Sequence, residues 1–194
     1  EILIANHNGR AIRFNESTVR NMGRGATGVK AMRLDDDEED EVVGMIALTK
    51  PEGYDENAEE NGTDEELYPD MPTILVLSEK GVGKRSTIGE YRITNRNGKG
   101  VKTINITEKT GKLVAIKKVM EDEDIMIINK SGVTIRLAGS DIKKSSRNTQ
   151  GVKLIDIQKR NDVISSVCVV EHSEEPEDIN EEDVTTPETN NTEE

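Results

Sequence analysis

The chain has 194 residues, of which 32% are apolar and 34% are charged, and its formal net charge is −13. This length allows a domain with a hydrophobic core, and the single cysteine, Cys168, excludes an internal disulfide. No apolar run approaches the roughly 18 residues of a membrane-spanning helix, so no membrane partner is expected. We expect Cys168, in the apolar run 167–170, to be a buried inert thiol in a protein of the reducing cytoplasm.

The negative charge is concentrated in three stretches: residues 35–41 contain seven acids, residues 50–72 nine and residues 171–194 eleven. The remaining residues carry 12 acids and 25 bases, a balance of +13. We therefore expect a basic folded body with acidic appendages. Residues 50–72 are predicted to be a disordered insertion and residues 171–194 a disordered tail. We expect the acidic tail to compete with a bound polyanion for the basic body, because it is tethered beside that body.

The predicted elements come in three copies of one pattern of short strands. In the first copy, strand 2–5 is followed by a turn at Gly9, a returning strand 12–14, a strand starting at Gly28 and a closing strand 42–47. In the second copy the first and closing strands are 74–77 and 113–119, the turn glycine is Gly81 and the later strand starts at Gly100. In the third copy the first and closing strands are 125–128 and 163–170, the turn glycine is Gly132 and the later strand starts at Gly151. Apolar residues change phase after each Gly-Val-Lys, which predicts a β-bulge near the lysine. Four strands per copy are typical of propeller blades.

Four positions are basic in every copy, namely those 4, 11, 15 and 21 residues after the turn glycine, written below as +4, +11, +15 and +21. They are Arg13, Arg20, Arg24 and Lys30 in the first copy, Arg85, Arg92, Arg96 and Lys102 in the second, and Arg136, Lys143, Arg147 and Lys153 in the third. Cations recurring at fixed offsets in a repeat protein are typical of a surface that follows a polyanion backbone. These twelve residues are the predicted DNA-binding residues, and their phosphate contacts would tolerate any DNA sequence.

Other motifs do not indicate catalysis or metal binding. The segment 81–86 is glycine-rich, but Ser78 stands where a phosphate loop needs its first glycine, Arg85 stands where it needs Ser or Thr, and no helix follows, so a hairpin is expected. The acidic run 35–41 lacks the central glycine of a calcium loop. Neither histidine has a partner that suggests metal or base chemistry, so no catalytic and no metal residue is predicted.

These motifs resemble the C-terminal domain of the DNA gyrase A subunit, a bacterial type II topoisomerase. The stretch 9–30 is similar to the fourth blade of that domain, 81–86 with 96–102 to its fifth, and 147–153 with the acidic tail to its sixth and last. The resemblance covers residues 1 to about 170. It implies a β-pinwheel, in which neighbouring blades exchange strands and duplex DNA wraps around the outer rim.

The resemblance also implies the context of the chain. The family's Gln-Arg-Arg-Gly-Gly-basic-Gly box and its catalytic tyrosine lie in parts that this sequence lacks. The segment 96–100 is only weakly similar to the box. We therefore expect the last half of a DNA-wrapping domain, with no cofactor of its own. The holoenzyme implied by the resemblance is a chromosome-associated, ATP- and Mg²⁺-dependent topoisomerase with a gyrase B subunit and a second A subunit.

Taken together, the sequence predicts an all-β fold of three four-stranded pinwheel blades, 1–49, 73–119 and 124–170, forming a partial ring. The predicted function is non-catalytic binding and wrapping of double-stranded DNA, so that a holoenzyme can introduce negative supercoils. Two alternatives stay open. The chain could be a topoisomerase IV-type C-terminal domain, or a propeller-like module that binds acidic proteins.

Overall fold

The computed structural model describes residues 1–35, 40–49, 71–157 and 162–172. Most of the predicted insertion 50–72 and of the predicted tail 171–194 lies outside the described residues. The all-β prediction is confirmed: the described residues contain eleven strands and three short 3-10 turns, Glu16–Thr18, Ile88–Glu90 and Gly139–Asp141, and no α-helix. Nothing in the described ranges is a helix long and apolar enough to cross a bilayer.

The strands form three antiparallel sheets. The strands are β1 Ile2–Asn6, β2 Arg10–Phe14, β3 Val42–Ala47, β4 Thr73–Ser78, β5 Val82–Ser86, β6 Val101–Lys102, β7 Leu113–Val119, β8 Glu123–Asn129, β9 Thr134–Ala138, β10 Val152–Lys153 and β11 Ile164–Glu171. The first sheet has the order β3-β1-β2-β6, the second β10-β5-β4-β7 and the third β11-β8-β9.

Consecutive copies exchange a strand. The Gly-Val-Lys strand of the second copy, β6, pairs with β2 of the first copy, and β10 of the third copy pairs with β5 of the second. The third sheet therefore has three strands among the described residues, which corrects the prediction of three four-stranded blades. The first copy's Val29 and Lys30 form no strand, because the described chain offers them no preceding sheet to pair with.

Glycine turns connect the first two strands of each copy, as predicted. In the first two copies the amides of Gly9 and Gly81 donate to the carbonyl oxygens of Asn6 and Ser78 at 3.1 and 3.0 Å. The segment 81–86 is thus a hairpin arm rather than a phosphate loop. Directly after Gly-Val-Lys, two consecutive amides share one acceptor: Thr103 and Ile104 donate to the carbonyl oxygen of Gly9, and Leu154 and Ile155 to that of Gly81, at 2.8 and 3.4 Å in each case. Two residues opposing one are the pattern of the β-bulge predicted near the lysine. Further register shifts occur where the closing strands β3, β7 and β11 pair with β1, β4 and β8.

Most of the hydrophobic core lies between successive sheets, and a smaller cluster within the first copy contains Ile4, Ile12, Phe14 and Met32. One cluster joins β1 of the first sheet to β4 and β7 of the second, and includes Tyr91, which is fully buried as expected. A second cluster joins the second and third sheets. The closing strands meet each other, since β3 packs against β7 and β7 against β11. These three strands are therefore the inner strands, and β6 and β10, at the opposite edges of their sheets, are the outer strands.

The environment of Cys168 differs from the prediction. Side chains alternate between the two faces of a strand, and in β11 Val167 is 6% exposed while Cys168 is exposed. The apolar run 167–170 suggested burial on both faces, but only one face of this inner strand is covered. The prediction of a buried thiol is thus wrong.

Candidate nucleic-acid interface

The +4 arginine of the first copy lies inside the interface between consecutive sheets. Arg13 is 6% exposed, and its guanidinium forms an ion pair with the carboxylate of Glu1. Its Nη1 also donates to the carbonyl oxygens of Ile88 and Tyr91, each at 3.1 Å, which belong to the second copy. A buried guanidinium held by a carboxylate and two carbonyls is not presented to a phosphate. The DNA contact predicted for Arg13 is therefore wrong.

The equivalent arginines of the other copies are also held by protein groups. Arg85 is 2% exposed; its Nε donates to the carbonyl oxygen of Ile142 in the third copy at 2.9 Å, and its Nη1 lies 3.2 Å from the carboxylate of Glu121. Arg136 pairs with Asp124, Nη2 to Oδ2 at 2.6 Å, and about a third of its side chain is exposed. Arg13 and Arg85 thus connect consecutive sheets, and we remove both from the candidate interface. Arg136 is exposed and is held by groups of its own sheet, so its DNA contact stays a prediction.

The +15 arginine of the second copy reaches back to the first copy. Nε of Arg96 donates to the carbonyl oxygen of Thr18 at 3.0 Å, and Nη1 donates to that of Lys30 at 2.8 Å. Thr18 ends the 3-10 turn of the first copy, and Lys30 is its +21 cation. One planar guanidinium therefore joins two separate segments of the neighbouring repeat.

The third copy repeats this contact with the second. Nε of Arg147 donates to the carbonyl oxygen of Glu90 at 2.9 Å, and Nη1 to that of Lys102 at 2.7 Å. Glu90 and Lys102 occupy the positions that Thr18 and Lys30 occupy in the first copy. We call Arg96 and Arg147 the clamp arginines. Arg24, at the same offset in the first copy, is exposed, and within the described part of the chain no hydrogen bond connects it to another repeat.

The remaining two offsets project their side chains into solvent. All six residues at +11 and +21 are exposed, and we call them the rim cations: Arg20, Arg92, Lys143, Lys30, Lys102 and Lys153. Lys102 and Lys153 lie on the outer strands β6 and β10. Arg92 lines a cleft together with Lys99 and Val101, beside β6. The structure thus places Arg92, Lys102 and Lys153 at or beside the outer edge of the sheets.

Arg10 is a cation near the outer edge that sequence reasoning missed. Arg10 is opposite Lys102 in the pairing of β2 with β6, and side chains of directly paired residues lie on the same face of a sheet. Two like charges placed there repel each other, and a bound phosphate would relieve that repulsion. The offset comparison could not find Arg10, because the equivalent positions hold Val82 and Val133.

Acidic side chains partly neutralise this edge. Lys99 forms an ion pair with Asp35 at 2.9 Å, and the hydrogen bond from Lys99 lowers the pKa of the Asp35 carboxyl. Lys153 lies 3.5 Å from Asp156, with both side chains about half exposed. Exposed pairs of this kind are weak, so a phosphate can displace the carboxylate from either lysine.

A buried lysine lies beneath the turn that carries Arg147. Lys84 in β5 has no exposed surface, and its Nζ donates to the carbonyl oxygen of Ser146 at 2.5 Å and to the hydroxyl of Thr149 at 3.2 Å. Burial disfavours the charged amine and lowers its pKa to about 8. The equivalent residues of the other copies are Ile12 and Ile135, so this lysine is specific to the second copy.

Each of the two histidines lies beside a carboxylate. His7 contacts Glu41 at 3.0 Å, and His172 contacts Asp124 at 3.0 Å, beside Arg136. The hydrogen bond from His172 and the nearby Arg136 guanidinium lower the pKa of the Asp124 carboxyl. Within the described ranges, no three His, Cys, Asp or Glu side chains are grouped to hold a metal ion.

The fold and this surface together define a class of protein. Sheets that exchange an outer strand with the next repeat, with inner strands packed together and cations on the outer edge, constitute a β-pinwheel, a variant of the β-propeller. Residues 1–49, 72–120 and 123–170 match the family described as "DNA gyrase C-terminal domain, beta-propeller". The chain therefore belongs to the DNA gyrase C-terminal domain family.

Individual relatives agree with this assignment. The chain is 41% identical over 186 residues to the DNA gyrase A subunit of Staphylococcus aureus strain NCTC 8325, and the match covers 96% of the chain and 18% of the relative. It is 40% identical over 182 residues to the same protein of strain MRSA252, with 94% of the chain and 18% of the relative covered. The chain thus corresponds to less than a fifth of the length of these relatives.

Solved structures share the fold. A crystal structure of the C-terminal domain of DNA topoisomerase IV superposes with a TM-score of 0.71 at 23% identity, over 88% of this chain and 46% of that one. A DNA gyrase A C-terminal domain gives a TM-score of 0.69 at 22% identity, over 87% of this chain and 50% of that one. At these identities the structures show the common fold alone.

Proposed function

We propose that this chain binds double-stranded DNA along its outer edge and serves as part of the DNA-wrapping domain of a gyrase A subunit. The observation that carries the proposal is the set of rim cations, which recur at two offsets in all three copies and are all exposed. Lysine and arginine side chains at such an edge bind phosphates without reading bases. Binding is therefore expected on any duplex sequence.

Duplex DNA fits this surface better than a single strand does. Single-strand binding proteins stack bases on exposed aromatic rings, and the aromatic residues that the structure describes, Phe14 and Tyr91, are buried in the core. Wrapping a duplex costs several kcal/mol over about 20–30 bp. Contacts distributed over successive copies offset this cost, because each copy adds its own cations along the DNA path.

The activity of the whole protein belongs to the same proposal. In it, the wrapped DNA is presented to a holoenzyme that contains a gyrase B subunit and a second A subunit and that introduces negative supercoils at the expense of ATP. We expect this chain to bind neither ATP nor Mg²⁺, since its glycine-rich segment 81–86 is a hairpin arm and not a phosphate loop. Both would be bound elsewhere in the holoenzyme, which we expect to be associated with the chromosome.

The first test measures the salt dependence of binding to a random duplex. Contacts of the six rim cations with about six phosphates predict a slope of log K against log salt near −5. The double substitution Lys102→Gln/Lys153→Gln should reduce the size of that slope by roughly 2, at about 0.9 per phosphate contact. Fluorescence anisotropy at several salt concentrations measures both values.

The matched control removes two charges from an inner strand. Lys117 and Lys118 lie on β7, and Lys117 lines the groove between the inner strands. Lys117→Gln/Lys118→Gln changes the net charge by the same amount and should leave the slope within about 0.5 of the original. Equal effects of the two double substitutions would contradict a phosphate-binding outer edge. Binding to polyglutamate without binding to duplex would favour a module for acidic proteins.

A further inference from the structure

We propose that the clamp arginines Arg96 and Arg147 are positioning residues, which hold the rim cations of one copy in line with those of the next and so set the path of the bound DNA. This inference rests on the proposed function. It assigns to the +15 arginines a role different from the phosphate contact that their repetition suggested.

The acceptors of the clamp arginines include the backbone of the rim itself. Each clamp arginine donates to the main-chain carbonyl of the preceding copy's +21 cation, Lys30 for Arg96 and Lys102 for Arg147. The backbone that carries a proposed phosphate-binding lysine is thus fixed by the next repeat. A rotation of one copy against the other would break this hydrogen bond.

The geometry of the contact requires a guanidinium. Nε and Nη1 of each clamp arginine bind carbonyls from two segments, the 3-10 turn and the Gly-Val-Lys segment, at 2.7–3.0 Å. A planar fork can hold two acceptors in a fixed relation, whereas a lysine ammonium is a point donor on a flexible stem. Arginine-to-lysine substitution at these positions therefore keeps the charge and removes the clamp.

The turn that presents each clamp arginine is itself attached to the neighbouring copy. Oε2 of Glu90 accepts hydrogen bonds from the Ser146 hydroxyl at 2.8 Å and from the Arg147 amide at 2.7 Å. In the first interface, backbone bonds fix the corresponding turn: the amide of Asn97 donates to the carbonyl oxygen of Ala31 at 2.7 Å. The turn from which each guanidinium extends is therefore held in place against the neighbouring copy.

Duplex DNA is stiff enough to reveal a loss of alignment. A duplex shorter than its persistence length of about 150 bp does not adapt to misaligned cations. Copies that can rotate against each other will still attract the duplex, but they will bend it less. The bend at saturating protein is therefore the measurement that separates positioning from simple affinity or stability, since every duplex is then bound to folded protein.

The experiment compares charge-conserving substitutions in the 194-residue chain. A random duplex of about 40 bp, labelled at both ends for energy transfer, reports bending. Arg147→Lys should lower affinity about tenfold, which corresponds to about 1.4 kcal/mol, and should reduce the bend at saturation as strongly as Arg147→Gln does. Arg33→Lys is the matched control, because Arg33 is exposed, belongs to neither the rim cations nor the clamp, and contacts the second copy only through its backbone amide among the described residues; it should leave affinity and bend unchanged.

The outcomes separate the two proposals. Retention of wild-type affinity and bend by Arg147→Lys, with loss only in Arg147→Gln, would show a phosphate contact and overturn the positioning role. Absence of binding by the wild-type chain would instead overturn the proposed function. Arg96→Lys makes the same change at the other interface and decides the question if Arg147→Lys fails to fold, as judged by circular dichroism.

Discussion

The exchanged strand can be tested with two glycines that share a backbone conformation but differ in their surroundings. Gly28 and Gly100 are equivalent in the repeat, and both have positive φ, +87° and +72°. A Cβ at residue 100 would lie 2.3 Å from the carbonyl oxygen of Ala11, whereas a Cβ at residue 28 has no atom within 4 Å. The difference arises because β6 pairs with β2, while the first copy's Gly-Val-Lys segment is unpaired.

The two substitutions to alanine therefore differ in free energy. Both incur about 1 kcal/mol for placing a side chain in the left-handed region. Gly100→Ala must in addition displace the backbone of β6 from β2, an overpacking effect of about 2 kcal/mol. At roughly 2–4 °C per kcal/mol for a chain of this size, we expect Gly100→Ala to lower Tm by about 4–8 °C more than Gly28→Ala.

Thermal unfolding followed by far-ultraviolet circular dichroism measures the difference. Gly151→Ala provides a second instance, since its Cβ would lie 2.6 Å from the carbonyl oxygen of Gly83 in the other exchanged pair. Hydrogen exchange should show the loss of protection at β6 in Gly100→Ala. Equal Tm shifts for Gly28→Ala and Gly100→Ala would refute the strand exchange between the first two copies.

Two further predictions concern Lys84 and Cys168. The pKa of Lys84 is about 8 in the folded state, below its ordinary value of 10.5. Below pH 8 the buried amine is charged and lowers the free energy of unfolding by its full amount. Between pH 8 and 10.5 the amine loses its proton in the folded state first, so the free energy of unfolding rises with pH. Lys84→Met should thus raise the free energy of unfolding by about 1–2 kcal/mol at pH 7. Urea titrations at several pH values should show that this difference from wild type decreases above pH 8. A difference that does not change with pH would contradict the burial of a charged amine. The exposed Cys168 should react with a thiol reagent in the native chain as fast as in urea, and protection in the native state would contradict its outward orientation.

Local patterns in the sequence predicted most strands and turns, the exception being the strand expected from Gly28, which is absent from the described residues. Short apolar runs followed by a glycine turn predicted each hairpin, because the backbone conformation of a tight turn depends on the few residues that form it. The repeated offsets also predicted correctly that all copies share one fold. Both conclusions required only residues that are close in sequence.

The orientation of the charges depended on contacts between copies. Alternation predicts which face of a strand Arg13 occupies, but only the tertiary structure shows that the next sheet covers that face and offers Ile88 and Tyr91 as acceptors. One signal was present in the sequence: Glu1 and Asp124 both lie twelve residues before the +4 arginine that they pair with. When an acid recurs at a fixed distance before a recurring arginine, the pattern indicates a buried ion pair as readily as an exposed basic surface.

The sequence by itself determined the repeat, its strands and the twelve recurring cations. Only the tertiary structure decided which of those cations are available to a ligand, because a charge is exposed or buried according to what a distant part of the chain places over it. The family resemblance implied that neighbouring blades exchange strands, but only the tertiary structure showed which strands these are, since main-chain hydrogen bonds between strands leave no trace in residue type. The separation of rim cations from clamp arginines follows from those two facts.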